Sequence, residues 1–414
     1  MTATRPVRSM REGELIVLLS FAMALSALGV GLILPAFEEM RQVLGLAEDS
    51  NRLARAITAY ILGLSVGTLV YGPMSDRFGR KPALRLGFSL YAAGAAGSML
   101  AVAVGSVSLL LATQALWGVG AAGPRIVALA IVRDLYDGDR MARIMSSVFA
   151  VFTIVPILAP VAGATVVGIA SWRGVYWLAV GLAAVVALWT TRLRETRLAT
   201  TSAGLSTFRL GPSVFRVLRN RKAVFYTLAM TLSFGAFFSY IATSELVFSD
   251  AYGRGHLFPW IYGGITAMMA VAMIANAKLV ETLTTRRVVV GTLVIYLGGA
   301  AVLAIGTWVA GGIPALAFFL VCLSVIAAMH GLVITNLNSL ALDPMADQAG
   351  TAGSIIGAVS TGGGALIGSL IDRAYDGTVL PLSIGFLAAP AVALGLCLVA
   401  GRGEEGAPDR PPAA

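Results

Sequence analysis

Cysteine is nearly missing from this sequence: Cys322 and Cys397 are the only two in 414 residues, and both sit inside apolar runs. They make neither a disulfide framework nor a cysteine metal site, and they read as packing residues. Histidine is equally scarce, at two. Charge is low as well, since 12% of residues are Asp, Glu, Lys or Arg while 57% are hydrophobic and the mean hydropathy is +0.84. That balance excludes an ordinary soluble domain and points to a chain crossing a membrane many times. The net charge is +9, but no basic patch is interleaved with aromatics, so no nucleic-acid partner is expected. The segments between the apolar runs hold no metal-spaced cluster, no nucleophile with a base, and no loop to cradle phosphates. An enzyme is therefore disfavoured, and no metal or cofactor is expected. A sensor would need a sizeable soluble domain, and the chain has none to offer.

What is present is a rhythm of about twelve apolar runs of membrane-spanning length, near 14–37, 53–73, 83–104, 107–132, 142–168, 173–192, 223–248, 258–277, 288–308, 313–341, 351–372 and 380–400. The first is longer than a signal-peptide core and is read as a retained span. Of the 30 lysines and arginines, roughly 23 fall in one set of alternate loops and about 6 in the other, which places both termini in the cytoplasm. The one long break in hydropathy gives three parts: a six-helix bundle over 1–192, a cytoplasmic linker over 193–222, and a second bundle with a short tail over 223–414. The later part of the linker, 213–222, alternates apolar and basic residues. It suits either a helix lying on anionic headgroups or a solvated connection. Repeated halves are the pattern of transporter folds that bind substrate where the halves meet. The expected fold is thus all-α, with twelve transmembrane helices in two pseudo-symmetric bundles.

Between the second and third runs lies Gly72-Pro73-Met74-Ser75-Asp76-Arg77-Phe78-Gly79-Arg80-Lys81-Pro82, read as a charged turn at the membrane surface. The order of Gly72, Asp76, Arg77, Gly79, Arg80 and Lys81 resembles the signature of the major facilitator superfamily. A worn copy around 278–287 keeps Arg286 and Arg287 but no Asp. The resemblance implies that Asp76 docks on the start of the eleventh span, where Thr351 is a candidate cap. It also implies that Arg80 meets Asp134 at the end of the fourth span. Together these contacts form a latch that is made and broken as the protein changes state.

The fourth run, from Gln114 to Asp134, carries small residues suited to close helix packing. It resembles the superfamily's fourth-span motif, except that Gln114 stands where an arginine is usual and Trp117 where a glutamine is. Arg125 lies about three turns after Gln114 on nearly the same face, and is expected to supply the missing cation. An arginine inside a span is costly unless it faces water or a partner, so Arg125, Gln114 and Trp117 are assigned to a substrate cavity. The other reading is that Arg125 snorkels to the interface. The fifth run holds Pro156, Pro160 and Gly163, which resemble a motif associated with antiporters, although Ala159 and Ala164 replace usual glycines.

In the second half His330 is either a proton carrier or a hydrogen-bonded structural residue. Phe234, Phe238, Ile241 and Glu245 share one helical face, serving a cationic apolar substrate or plain packing. With His330, Glu245 is the candidate for proton coupling. Glu38, Glu39 and Asp372 are placed near the outer surface in water. The chain as a whole is similar to the twelve-span drug:proton antiporters, and to the bicyclomycin-resistance (Bcr/CflA) group in particular. This resemblance implies a bacterial inner-membrane exporter, working as a monomer in the lipid bilayer and exchanging protons for small-molecule substrates. A facilitator or importer of an anionic metabolite, with Arg125 as its ligand, is the alternative.

Overall fold

The computed structural model describes residues 10–196 and 210–401. Arg5, Arg8, the linker stretch 197–209 and the tail beyond 401 lie outside the described residues. Among the described residues all regular structure is helical. The helices are α1 (Glu12–Gly31), α2 (Phe37–Val43), α3 (Ala54–Phe78), α4 (Arg80–Ala103), α5 (Val107–Leu135), α6 (Gly138–Thr190), α7 (Leu210–Arg219), α8 (Arg221–Leu246), α9 (Phe258–Thr282), α10 (Thr285–Val309), α11 (Leu316–Leu342), α12 (Ala349–Asp372) and α13 (Leu380–Ala400).

Eleven of these elements are long and apolar enough to cross a membrane. The twelfth crossing is hidden in α6, whose 53 residues contain a break at Ala170 and Ser171, with Ser171 at φ +60°. The chain turns back there. Glu39 on α2 accepts a hydrogen bond of 2.7 Å from the Trp172 backbone N–H, and so caps the crossing that follows. Glu39 was expected simply in water, and capping is its structural use.

The stretch 72–82 is not a loop. Helix α3 continues through Pro73 to Phe78 and α4 begins at Arg80, leaving Gly79 as the whole connection. Gly79 has φ +100°, and a Cβ there would meet the Glu195 carboxylate at 2.9 Å, so glycine is required on both counts. Gly72 is different: nothing lies within 4 Å of its Cβ direction, so no close approach depends on it.

In the first half α5 is the central element, pressed between α3 and α4. A Cβ on Gly63 would lie 2.0 Å from the Ala115 carbonyl oxygen, and one on Gly118 would lie 1.9 Å from that of Tyr60. With no hydrophobic force between helices in lipid, this backbone contact is the source of the packing energy. The second half uses the same device, as α8 lays Phe234 and Phe238 over Gly364 and Gly368 of α12. Helix α7 is amphipathic, with Val217 buried and Phe215, Leu218 and both arginines exposed. Asn220 ends it and caps α8 through the Ala223 N–H at 3.0 Å.

The halves meet along a seam formed by α3 with α12 and α6 with α9. Ser65 donates to the Ala358 carbonyl at 2.7 Å, and Gly263 sits against the Ile157 carbonyl. Replacing Gly118 by alanine is expected to abolish the monodisperse folded protein in detergent, whereas Gly181→Ala, with open space at its Cβ direction, leaves the elution profile unchanged. Size-exclusion chromatography of the two variants checks this.

Candidate functional site

At the Gly79 end, Arg80 is the hub of a polar cluster. Its Nε and Nη2 donate to the Asp134 carboxylate at 2.8 and 3.0 Å, and its Nη1 donates to Asp76 at 2.5 Å and to Ser75 at 2.8 Å. The Arg80 side chain is buried while that of Asp76 is largely exposed. Forked pairing to Asp134 matches guanidinium geometry and explains how a buried arginine is tolerated.

Asp76 is therefore engaged one turn away on its own hairpin, and its recorded partner is Arg80 rather than the start of α12. The acid on a helix start is Glu195, whose carboxylate accepts from the Arg80 and Lys81 backbone N–H groups at 2.8 and 3.0 Å. Thr196 adds a hydrogen bond to Asp134 at 3.0 Å, so the beginning of the linker is tied into the same cluster. Lys81 reaches the Thr191 carbonyl, and Arg77 lies over the Phe78 ring. Thr351 does not cap α12: the helix starts at Ala349, which leaves Thr351 exposed within the first turn.

Between the two ends, Arg125 is half-buried and paired with no described side chain. Helical side chains lean toward the N-terminus of their helix, which for Arg125 is away from Asp134 and toward the level where Tyr60 packs on Trp117 and Gly118. Gln114 and Trp117 are placed differently from the cavity expected for them. Both are completely buried, and the Trp117 ring is enclosed by Tyr60, Tyr91 and Tyr176 at centroid distances of 5.7, 5.4 and 5.8 Å. Trp117 is a core residue because α4 passes close enough for Gly94 to touch its backbone.

His330 is buried in an aromatic box, stacked on Phe237 at 4.2 Å with Phe234 and Tyr296 beyond. Among the described residues it has no carboxylate partner. Phe234 and Phe238 stack on one another at 6.2 Å against the α12 glycines, which is the packing alternative. Pro156 and Pro160 lie within α6; Gly163 meets the Leu32 carbonyl beyond α1, and Ile157 reaches Gly263 of α9 across the seam.

The groups that join the halves at the opposite end were not evident from composition. Arg41 donates through both terminal nitrogens to both oxygens of Glu245, at 2.9 and 2.7 Å, with each side chain about 95% buried. Glu245 is thus committed to an ion pair between the halves instead of standing at the end of an aromatic stripe. Asn51 donates to the Asp372 backbone carbonyl. Asp372, expected in water, is buried and accepts from Ser239 at 2.5 Å.

Three comparisons can be set beside this geometry. Residues 19–369 match the model of the Major Facilitator Superfamily. A bicyclomycin resistance protein homolog of Haemophilus influenzae is 27% identical over 377 residues, covering 89% of this chain and 91% of the relative. The multidrug resistance protein MdtL of Klebsiella pneumoniae is 27% identical over 84% of this chain and 86% of its own. Among solved structures, a D-xylose–proton symporter superposes with a TM-score of 0.72 at 11% identity, over 93% of this chain and 97% of that one. The human organic anion transporter MFSD10 gives 0.64 at 17%, over 95% and 99%. Both structural likenesses speak to fold alone.

Removing one member of a buried ion pair strands the other. Arg41→Met is expected to lower stability by about 3–5 kcal/mol, and the double variant with Glu245→Met should recover most of the loss. Thermal unfolding in detergent reads both.

Proposed function

Because the chain belongs to the Major Facilitator Superfamily, we propose that it is a secondary transporter exporting small amphipathic compounds, drugs among them, in exchange for protons. The observation that carries the reading is Arg125: a half-buried cation within a membrane-spanning helix of the first half, paired with no described side chain, in a chain whose two halves are joined at one end by the Arg41–Glu245 contact. A half-buried guanidinium without a described counter-charge is a site for an anion, a carbonyl or water, and in transporters built from two halves such a site serves the substrate path. The names of the bicyclomycin-resistance and multidrug-resistance relatives support an efflux role over the import of one metabolite.

The division into a bundle over 1–192, a linker over 193–222 and a bundle over 223–414 is part of this proposal. The bases support an orientation in which the Gly79 end, with Arg77, Lys81, Arg133, Arg140 and the linker arginines, faces the cytoplasm together with both termini. The Arg41 end is then outermost. The protein acts in the bacterial inner membrane as a single copy. The Arg80–Asp134 pair fixes the α3–α4 hairpin on α5 as one rigid unit, and the linker joins that unit through Glu195 and Thr196. His330, enclosed by rings, serves structure in this account. Alternating access then consists of opening the Arg41–Glu245 contact while α3 slides on α12 and α6 on α9.

Proteoliposomes under an imposed pH gradient, offered dyes, antibiotics and metabolites, test the assignment. Gradient-dependent movement of several unrelated amphipaths is expected. Movement of one anionic metabolite alone, or indifference to the gradient, contradicts it. Arg125→Ala is expected to abolish transport in the same vesicles while eluting as folded protein, and unchanged transport removes the role assigned to Arg125.

A further inference from the structure

Among the described residues, the buried Arg, Lys, His, Asp and Glu side chains are few: Arg41, Arg80, Glu245, His330 and Asp372. Two ion pairs account for Arg41, Glu245 and Arg80, and the aromatic box for His330. Asp372 is left. Its one side-chain bond comes from the Ser239 hydroxyl, and its second oxygen, Oδ2, is shielded and has no partner. An ionised carboxylate held out of water against one hydroxyl is expensive, while a neutral carboxyl in the same place is not.

The position of this residue gives the imbalance a use. Asp372 is the last residue of α12, in the second half, and its backbone carbonyl is held by the Asn51 side chain of the first half. Closing the seam thus brings Asn51 onto the residue that carries the buried carboxyl, and separating the halves breaks that contact. Water is close by. A polar cavity of about 430 Å³ opens on the same face, lined by Asp49, Asn51, Arg52, Arg55, Arg373 and Tyr375, so it touches both Asn51 and the residue after Asp372.

The neighbouring charges do not substitute for a partner. Tyr375 donates to Asp250 at 2.8 Å, and burial, with that bond second, pushes its phenol up so that it stays neutral. Arg373 and Arg52 are exposed to the cavity, and Arg41 is committed to Glu245.

We propose that Asp372 is a proton-sensing gate residue: closing the outer ends of the two halves takes up one proton from outer water at its carboxyl, and opening them returns it. The outward direction rests on the orientation given above. Acid outside then drives the emptied transporter closed, which is the sense needed for exchange against an inward proton gradient. Only the proton moves, from hydronium in the cavity to Oδ2, and no other bond changes.

The test labels a cysteine placed at Leu62, which faces Gly362 of α12 across the seam. A membrane-impermeant maleimide is added from the outside, and rates are divided by those for Ala47→Cys, an exposed position on the same face. The native cysteines are buried. With Asp372 intact, relative labelling at 62 is expected to rise several-fold as external pH is raised, and Asp372→Glu retains the rise. Asp372→Asn is expected to stay at the low level throughout. Ser239→Ala, which removes the one bond favouring the charged form, should move the midpoint to higher pH.

An undiminished rise in Asp372→Asn overturns the proposal, as does a rise lost in Glu245→Gln but kept in Asp372→Asn. If Asp372→Asn does not fold, an unmoved midpoint in Ser239→Ala overturns it equally. Failure of wild-type vesicles to respond to a pH gradient removes the export reading, while pH-dependent labelling that needs Asp372 still establishes the gate.

Discussion

The arrangement of the two halves depends on how charge is buried where they meet. Arg41 and Glu245 reach each other from segments 204 residues apart and satisfy each other through two short hydrogen bonds out of water. The net contribution of such a pair to stability is small, because desolvation offsets attraction. Its effect is on register: neither charge can be left alone in that place, so the halves either close with both present or open far enough to hydrate both. A contact of this kind gives two discrete states instead of a continuum, which alternating access requires.

The halves are built so that sliding at the seam does not disturb their interiors. Backbone-to-backbone contact at Gly63, Gly118 and Gly120 fixes α3, α4 and α5 together. The Arg80 cluster then ties the hairpin to the end of α5 and to the start of the linker. Across the seam, apart from the Arg41–Glu245 pair, the described contacts are of another kind, and include a serine on a carbonyl, a glycine on a carbonyl and an asparagine on a carbonyl. Each is a single hydrogen bond or a bare approach, individually weak and replaceable by water. The contrast between dense interiors and a sparse seam is the mechanical content of the fold.

Much of this was legible in the chain. Span number, the break between the halves and the alternation of basic loops follow from hydropathy and charge, which act over twenty residues at a time. The Arg80–Asp134 pair followed from a motif resemblance. The features that sequence reasoning missed share one physical property: they are long-range pairings of polar residues whose local context is ordinary. Arg41 and Glu39 look like part of a wet turn until α2 folds under the chain. Glu195 lies in what reads as a polar linker, yet it supplies the capping carboxylate assigned to Asp76. Trp117 was assigned to the cavity from its place in the fourth-span motif, where a glutamine is usual, whereas Gly94 on the neighbouring helix closes over it. Glu245 had a signal that could have found its partner: a carboxylate on an aromatic face needs a cation, and the sequence puts few bases at that end.

That scarcity of bases at the Arg41 end bears on why this end is built as it is. The six bases assigned there are Arg41, Arg52, Arg55, Arg173, Arg254 and Arg373, in a chain whose bases otherwise gather at the other end. Arg41 neutralises the one acid that the seam buries in ionised surroundings, and three more line the polar cavity beside it. None of these three is placed to do for Asp372 what Arg41 does for Glu245. Two acids within one seam are therefore treated in opposite ways, one matched by a guanidinium and the other by a hydroxyl. A matched pair carries no net charge and sets geometry. An unmatched carboxyl must choose between its proton and water, and that difference is what the gate proposed for Asp372 rests on.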